Sequence, residues 1–294
     1  MRKKESIASW FRELQSKIIE ALEVFEPKIR FESHPWKRPG GGGGDSRILA
    51  EGEVFEKAGV NVSEVEGELP PSLMAKLETT SSNFYATGLS LVIHPRSPQV
   101  PTVHANWRYF EQSDRRWFGG GADLTPFVFR PEDFRHFHES LRRPCDRLGP
   151  KVYDEFKQKC DEYFYLPHRK EHRGIGGIFF DYLSENLDQV FEFIKESGMS
   201  LIDAYIPIVQ KRHSLSFSER EKDFQWLRRG RYVEFNLIYD RGTKFGLETQ
   251  GNTESILMSL PPKLSFEFQP ELEKTESEKE LMKAFRNPKN WLAS

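Results

Sequence analysis

Ala86-Thr-Gly-Leu-Ser-Leu-Val-Ile-His-Pro-Arg-Ser-Pro-Gln-Val-Pro-Thr-Val-His-Ala-Asn-Trp-Arg-Tyr-Phe110 holds two strand-like runs joined by a loop with three prolines. Successive side chains of an extended strand point to opposite faces, so Leu89, Leu91 and Ile93 go one way while Ser90, Val92 and His94 go the other. In the second run Val103, Ala105, Trp107 and Tyr109 share a face, leaving His104, Asn106 and Arg108 on the opposite one. The two runs predict a sheet with one apolar side and one side carrying Ser, His, Asn and Arg on rigid backbone, which suits a binding or catalytic surface.

Working outward, Ile7, Trp10, Phe11, Leu14, Ile18, Ala21, Leu22 and Phe25 recur at steps of three and four and predict an amphipathic helix over 4–26. The glycine run Gly40 to Gly44 follows no strand of a βαβ unit and opens no helix. It therefore reads as a mobile loop near an opening, not as a dinucleotide fingerprint. A strand is expected over 47–56, and the second glycine cluster, in Trp117-Phe-Gly-Gly-Gly-Ala-Asp-Leu-Thr-Pro126, reads as a turn. Pro131-Glu-Asp opens a helix carrying Phe134, His138 and Leu141 on one face. Another helix starts near Pro150 and carries Val152, Tyr153, Phe156, Cys160 and Phe164. A buried strand ends the segment up to Tyr182. Ser184 is expected to cap a helix that Gly198 ends, and Ser218 with Glu221 forms a capping box for one that Gly230 ends. Arg231 to Tyr239 then alternates as a strand, with 244–248 running back as a hairpin. A short helix over 253–260 stops at Pro261-Pro262, and the tail after 270 is charged until Trp291. Strands cluster in hairpin-like pairs with helices between the clusters. The expected architecture is α+β: one domain over 1–294 with a large, mostly antiparallel central sheet flanked by helices on both sides.

The 294 residues can bury a sizeable core, and no linker divides them. With 43 Lys plus Arg against 45 Asp plus Glu, the net charge is -2, which argues against non-specific nucleic-acid binding. No apolar run approaches the roughly 20 residues that span a bilayer, and the N-terminus lacks the apolar core of a secretory signal. A soluble, cytoplasmic protein with no stable membrane insertion is expected. Cys145 and Cys160, the only two cysteines, read as reduced, buried small hydrophobes. Phenylalanine contributes 24 residues, enough to line both a core and a pocket for a flat ligand with an apolar body.

Four histidines, His94, His104, His138 and His168, could ligate a transition metal, but their spacing matches no compact motif. Spacing alone therefore favours structural histidines over ligands, while one on a polar sheet face reads equally as a structural hydrogen bonder or as a group for proton transfer at cellular pH. Arg108 beside Asn106 offers a planar fork and an amide for a carboxylate, or an ordinary ion pair. Asp123, after three glycines, either presents a carboxylate to a closely approaching ligand or caps a turn.

Five segments carry a resemblance: Gly88 to Arg96, Pro101 to Phe110, Trp117 to Pro126, Tyr163 to Tyr182 and Phe245 to Pro262. Together and in order they closely resemble the oxygen-dependent coproporphyrinogen III oxidase family, from the first helix to about Pro262. The resemblance implies oxidative decarboxylation of two propionates of coproporphyrinogen III to vinyl groups, giving protoporphyrinogen IX in haem biosynthesis. Molecular oxygen is the implied co-substrate, with no organic cofactor, and the implied assembly is a homodimer, for which 231–260 is the first guess at the contacts. By position, His104 resembles the proton donor, Ser90 and Asn106-Trp107-Arg108 the substrate contacts, and Asp123 the carboxylate that engages the pyrrole nitrogens. His94, His104, His138 and His168 fall where the family is described with ligands for a divalent metal, while a metal-free reaction is argued as well. Gln250, Gly251 and Asn252 occupy a substrate-binding stretch where the family usually has an Arg before Glu-Ser-Ile-Leu. Here Asn252 takes its place, so Lys244, Arg241 or helix N-terminal amides are left to hold that propionate. The competing readings are a histidine-liganded metal hydrolase and a non-catalytic tetrapyrrole-binding protein.

Overall fold

The computed structural model describes residues 4–69, 71–76, 79–249 and 251–293. In chain order, α1 (Lys4–Glu23) leads into three strands, β1 (Glu32–Lys37), β2 (Gly42–Ala50) and β3 (Phe55–Glu68). A short α2 (Pro71–Lys76) precedes β4 (Asn83–Pro95), β5 (Thr102–Glu111) and β6 (Arg116–Thr125). After α3 (Pro131–Cys145) and α4 (Val152–Tyr163) come the small hairpin β7 (Tyr165–Leu166) and β8 (Glu171–His172) and then β9 (Gly177–Leu183). The chain closes with α5 (Leu187–Arg212), α6 (Glu219–Ile238), α7 (Arg241–Glu248), α8 (Thr253–Leu257) and α9 (Glu276–Arg286).

The main sheet has the order β1-β2-β3-β4-β5-β6-β9, each neighbour antiparallel. Its apolar side joins Leu89, Leu91 and Ile93 to Val103, Ala105, Trp107 and Tyr109 in one core with Phe11, Leu14 and Ile18 of α1 and Phe193 and Ile194 of α5. The alternation expected for 86–110 is therefore observed, with Leu89 opposite Trp107, Ser90 opposite Asn106 and Val92 opposite His104. The polar side is covered by α6, α8 and the turn after α8: the Tyr232 ring meets His94 edge-on at 5.3 Å, Ser255 Oγ lies 2.6 Å from Ser46 Oγ of β2, and His94 Nε2 lies 2.9 Å from the Ser259 carbonyl. Helices thus flank both faces. The C-terminal stretch docks through buried Leu281, Met282, Phe285 and Trp291, with a Thr275–Glu278 capping box at the start of α9. Both cysteines are free and buried, and burial pushes the Cys145 thiol up to about 12. Among the described residues no helix is long and apolar enough to cross a membrane.

Four glycine readings are corrected, and all for the same reason. Gly42, Gly43 and Gly44 are not loop but part of β2, all three paired to β3 and the last two also to β1; a Cβ on Gly44 would lie 2.5 Å from the Trp36 ring. Gly119 to Gly121 are not a turn but the middle of β6. Gly198 does not end a helix: α5 runs on to Arg212, and a Cβ there would lie 2.6 Å from a methyl of Leu14 on the crossing α1. Gly230 is likewise interior to α6, facing the Ser265 carbonyl at 2.8 Å. In each case the missing side chain admits a neighbour and the element continues.

The expected strand over 231–239 is helix. Phe224, Arg228, Tyr232 and Phe235 form one buried face at helical spacing. The pattern escapes periodicity because Arg228 and Arg229 are buried too, paired with Glu171 and Glu56. The hairpin at 244–248 is α7, capped by Asp240, whose Oδ2 accepts from Thr243 N at 2.6 Å. The cap of α5 is Asn186, in the left-handed region at φ 46°, not Ser184.

Candidate active site

The polar side of the sheet is built by register. Ser46, Asn61, Ser90, Asn106, Gly121 and Phe179 stand in one row across β2, β3, β4, β5, β6 and β9. One step along, His104 faces Asp123, and one step the other way Arg108 faces Gly119. Arg108 donates from Nη1 to Asn106 Oδ1 at 2.9 Å, and Asn106 Nδ2 lies 3.5 Å from His104 Nε2. His104 Nδ1 stands 2.7 Å from Asp123 Oδ1. Guanidinium can only donate, so Asn106 Oδ1 must accept and its amide N–H must point at Nε2. That polarity makes Nε2 the acceptor and Nδ1, beside the Asp123 carboxylate, the protonated ring nitrogen; Arg173 Nη2 lies 3.3 Å from Nδ1 but gives its two hydrogens to the Asp123 oxygens.

Asp123 is 1% exposed. It also accepts from Arg173, whose Nη2 lies 2.7 Å from Oδ1 and 2.9 Å from Oδ2 and whose Nε lies 3.2 Å from Oδ2. Burial alone would raise the carboxyl's pKa. The Arg173 charge and the hydrogen bonds from His104 and Arg173 outweigh it and hold the group below its ordinary range. Arg173 donates from Nη1 to Asn236 Oδ1 at 2.6 Å and packs against Phe164, Tyr232 and Phe235. At the other end, Arg108 Nη2 pairs with Asp181 Oδ2 at 2.7 Å, and Arg241 Nη2 lies 3.9 Å from the same oxygen. A Cβ on Gly119 would fall 2.5 Å from Asp181 Oδ1 and 2.8 Å from Arg108 Nη2, so this pair crosses directly over the glycine. Arg241 also lies over the rings of Tyr163 and Phe179.

His104, Asn106, Arg108 and Asp123 are brought together, with Ser90 opposite Asn106 on the adjacent strand. Trp107 is not among them. It is fully buried on the apolar side, where its indole N–H donates to Ser197 Oγ at 3.1 Å; alternation turns it away from its neighbours. Asp123 is no turn cap and no exposed carboxylate, because β6 continues through it. The four histidines do not converge. His94 is buried against Thr102 and Ser259, and burial together with the Arg229 charge depresses its pKa. His138 lies between the Tyr153 hydroxyl and the Ile175 carbonyl, and His168 sits between Tyr239 and Glu234. Among the described residues no three His, Cys, Asp or Glu side chains form a metal-binding group. The histidines present therefore do not fit a shared metal.

Gln250 lies outside the described residues. Gly251 N donates to the Gly246 carbonyl at 2.8 Å, and Asn252 caps α8, its Oδ1 accepting from Ser255 N and Ser255 Oγ at 2.8 and 2.9 Å. The α8 amide of Ser255 is thus already satisfied, so among the α8 amides it is not one that can hold a propionate. Arg173 and Asp181 were not anticipated from the sequence. A signal for Arg173 existed in Arg173-Gly-Ile-Gly-Gly177: Cβ atoms on Gly174 and Gly177 would lie 2.1 and 1.9 Å from β6 carbonyls. Such glycines bring a backbone, and the arginine beside it, onto a strand.

The whole chain bears on what this site is for. The family model described as coproporphyrinogen III oxidase matches residues 6–291. A protein of Coxiella burnetii named oxygen-dependent coproporphyrinogen-III oxidase is 50% identical over 295 residues, covering 98% of this chain and 95% of the relative. Proteins of the same name from Synechococcus sp. and Prochlorococcus marinus are 47% and 46% identical, covering 95% and 97% of this chain and 85% and 91% of theirs. With the match running through every strand of the sheet and every residue of the polar row, this chain belongs to the coproporphyrinogen III oxidase family.

Proposed function

We infer that this chain carries out the oxygen-dependent conversion of coproporphyrinogen III to protoporphyrinogen IX in haem biosynthesis, decarboxylating two propionates to vinyl groups. For each propionate the C–H bond beside the ring breaks and its hydrogen leaves with two electrons to O2, which with one further proton becomes hydrogen peroxide. The bond to the carboxylate breaks as well, and its electron pair becomes the vinyl double bond while CO2 departs. A porphyrinogen is a flexible apolar macrocycle ringed by carboxylates, so its site needs cations at the rim and a proton-transfer group facing the pyrrole N–H. The observation that carries the reading is the hydrogen-bonded series Arg108–Asn106–His104–Asp123 across β5 and β6. Arg108, 39% exposed at its side chain, carries five N–H donors, more than Asn106 and Asp181 take up, for a propionate. Removing a pyrrole proton makes the ring electron-rich enough to meet O2 directly. Ser90 and Asn106 line the same face, and Arg241 stands near Arg108 through Asp181.

The enzyme acts in the cytoplasm as a homodimer in this reading. The partly exposed Leu237, Ile238 and Leu247 within 231–260 support contacts there, and light scattering showing a monomer at working concentration would refute it. The activity test is anaerobic addition of coproporphyrinogen III followed by O2, with chromatography for protoporphyrinogen and measurement of released CO2. Binding without CO2 release would instead favour the non-catalytic tetrapyrrole-binding protein. Activity lost on chelation and restored by a divalent metal would overturn the metal-free route.

A further inference from the structure

We infer that Asp123 and Arg173 never meet the substrate and are positioning residues, fixing the tautomer and direction of His104, whose Nε2 takes the pyrrole proton. This rests on the activity proposed above and departs from the role that the resemblance implies for Asp123. Both Asp123 oxygens are already filled by His104 Nδ1 and by Nη2 and Nε of Arg173. The segment from Arg173 to Gly177 seals the carboxylate: Gly177 is its cross-strand partner, and a Cβ on Gly177 would lie 1.9 Å from the Ala122 carbonyl. Arg173 in turn cannot swing away, being held by Asn236 Oδ1 and enclosed by Phe164, Tyr232 and Phe235. For a pyrrole N–H to reach Asp123, this clamp would have to open.

His104 is placed differently. Its side chain is 16% exposed, and among the described residues Nε2 has one hydrogen-bond contact, the long 3.5 Å approach of the Asn106 amide, which a pyrrole N–H has to displace. In the proton transfer, the pyrrole N–H bond breaks and leaves its electron pair on the ring, while an N–H bond forms at Nε2. The resulting imidazolium is stabilised by Asp123, which keeps the Nδ1 hydrogen bond throughout. Arg173 keeps Asp123 ionised, so that it accepts from Nδ1 and holds the reactive nitrogen outward.

The test uses the full chain and the variants H104Q, D123N, H104Q/D123N, R173M and R173K. The first readout needs no turnover: nitrogen-15 NMR of the His104 ring, assigned by its loss in H104Q, should show Nδ1–H in the parent and Nε2–H or a mixture in R173M. In steady-state kinetics D123N and R173M should each lower kcat by about 10²–10⁴-fold with KM changed by less than about threefold. H104Q/D123N should be no slower than H104Q, because the two act in series. Multiplying losses in the double variant would show that Asp123 acts on the substrate itself and would overturn the inference. So would an unchanged tautomer and kcat in R173M. If R173M does not fold, R173K, which keeps the charge but cannot span both oxygens, carries the same two readouts. A parent chain that turns over no coproporphyrinogen sinks the proposed activity while leaving the tautomer result to decide the positioning claim.

Discussion

His138 distinguishes a buried structural histidine from a metal ligand. It is fully buried in α3. The Ile175 carbonyl can only accept, so the hydrogen sits on Nε2 (3.2 Å), and Nδ1 accepts from the Tyr153 hydroxyl at 2.8 Å. A second proton, on Nδ1, would force the Tyr153 hydroxyl to reverse from donor to acceptor and would place a charge in a fully buried site. Burial, with the Lys157 charge in support, lowers the pKa to about 3. An unfolded chain returns this histidine to about 6.5 and binds the proton more readily below that pH. Its stabilising effect is therefore complete above about pH 6.5 and drains away as pH falls towards 3. At about pH 4.5, two pH units below the unfolded value, the cost is about 3 kcal/mol, a large share of a domain's stability of about 5–15 kcal/mol. His138→Gln offers an amide N–H and a carbonyl but does not titrate. Urea unfolding of parent and variant at about pH 7.5 and about pH 4.5 should show the parent losing about 3 kcal/mol more than the variant. His94 and the carboxylates titrate in both proteins, so the difference isolates position 138. Parallel acid slopes would refute the reasoning. A ligand role makes a different prediction: a chelator at neutral pH would destabilise the parent and leave the variant unchanged.

The remaining predictions concern the site. Arg108→Ala should raise KM by the loss of a charge-assisted carboxylate contact, about 1.5–3 kcal/mol or roughly 10- to 150-fold; unchanged substrate affinity would contradict it. Trp107→Phe should cost about 1 kcal/mol of stability through the lost Ser197 hydrogen bond and leave KM within about twofold, since the ring faces α5. A rise in KM without destabilisation would show that Trp107 contacts substrate after all. Asn252→Ala should remove the α8 cap at a cost of about 1 kcal/mol, seen as roughly fivefold faster hydrogen exchange at the Ser255 amide. Unchanged protection would mean that Asn252 is free for another role.

The sheet was legible wherever one side chain in two was apolar. Leu89, Leu91 and Ile93 against Ser90 and His94 fix both strand and face, and the Ser218–Glu221 capping box was equally explicit. What escaped had a common physical origin on the polar side. There α6 replaces apolar contacts with buried ion pairs, Arg228 to Glu171 and Arg229 to Glu56, while Arg173 pairs with Asp123 beneath it. An arginine can be buried only if its partner arrives from elsewhere in the chain, so a helix built this way looks solvated in one dimension and 231–238 read as a strand. Glycines misled for the parallel reason that close approach is also a property of two segments at once. Trp107 shows the converse: alternation had already placed it on the apolar side, and only the wording of its motif drew it into the pocket. The same buried pairs explain why the site is rigid. An unpaired buried charge costs far more than its pair stabilises, so Arg173 and Asp123 can neither exchange partners nor turn outward without large loss, and His104 inherits a fixed orientation from a clamp that no single segment of the chain reveals.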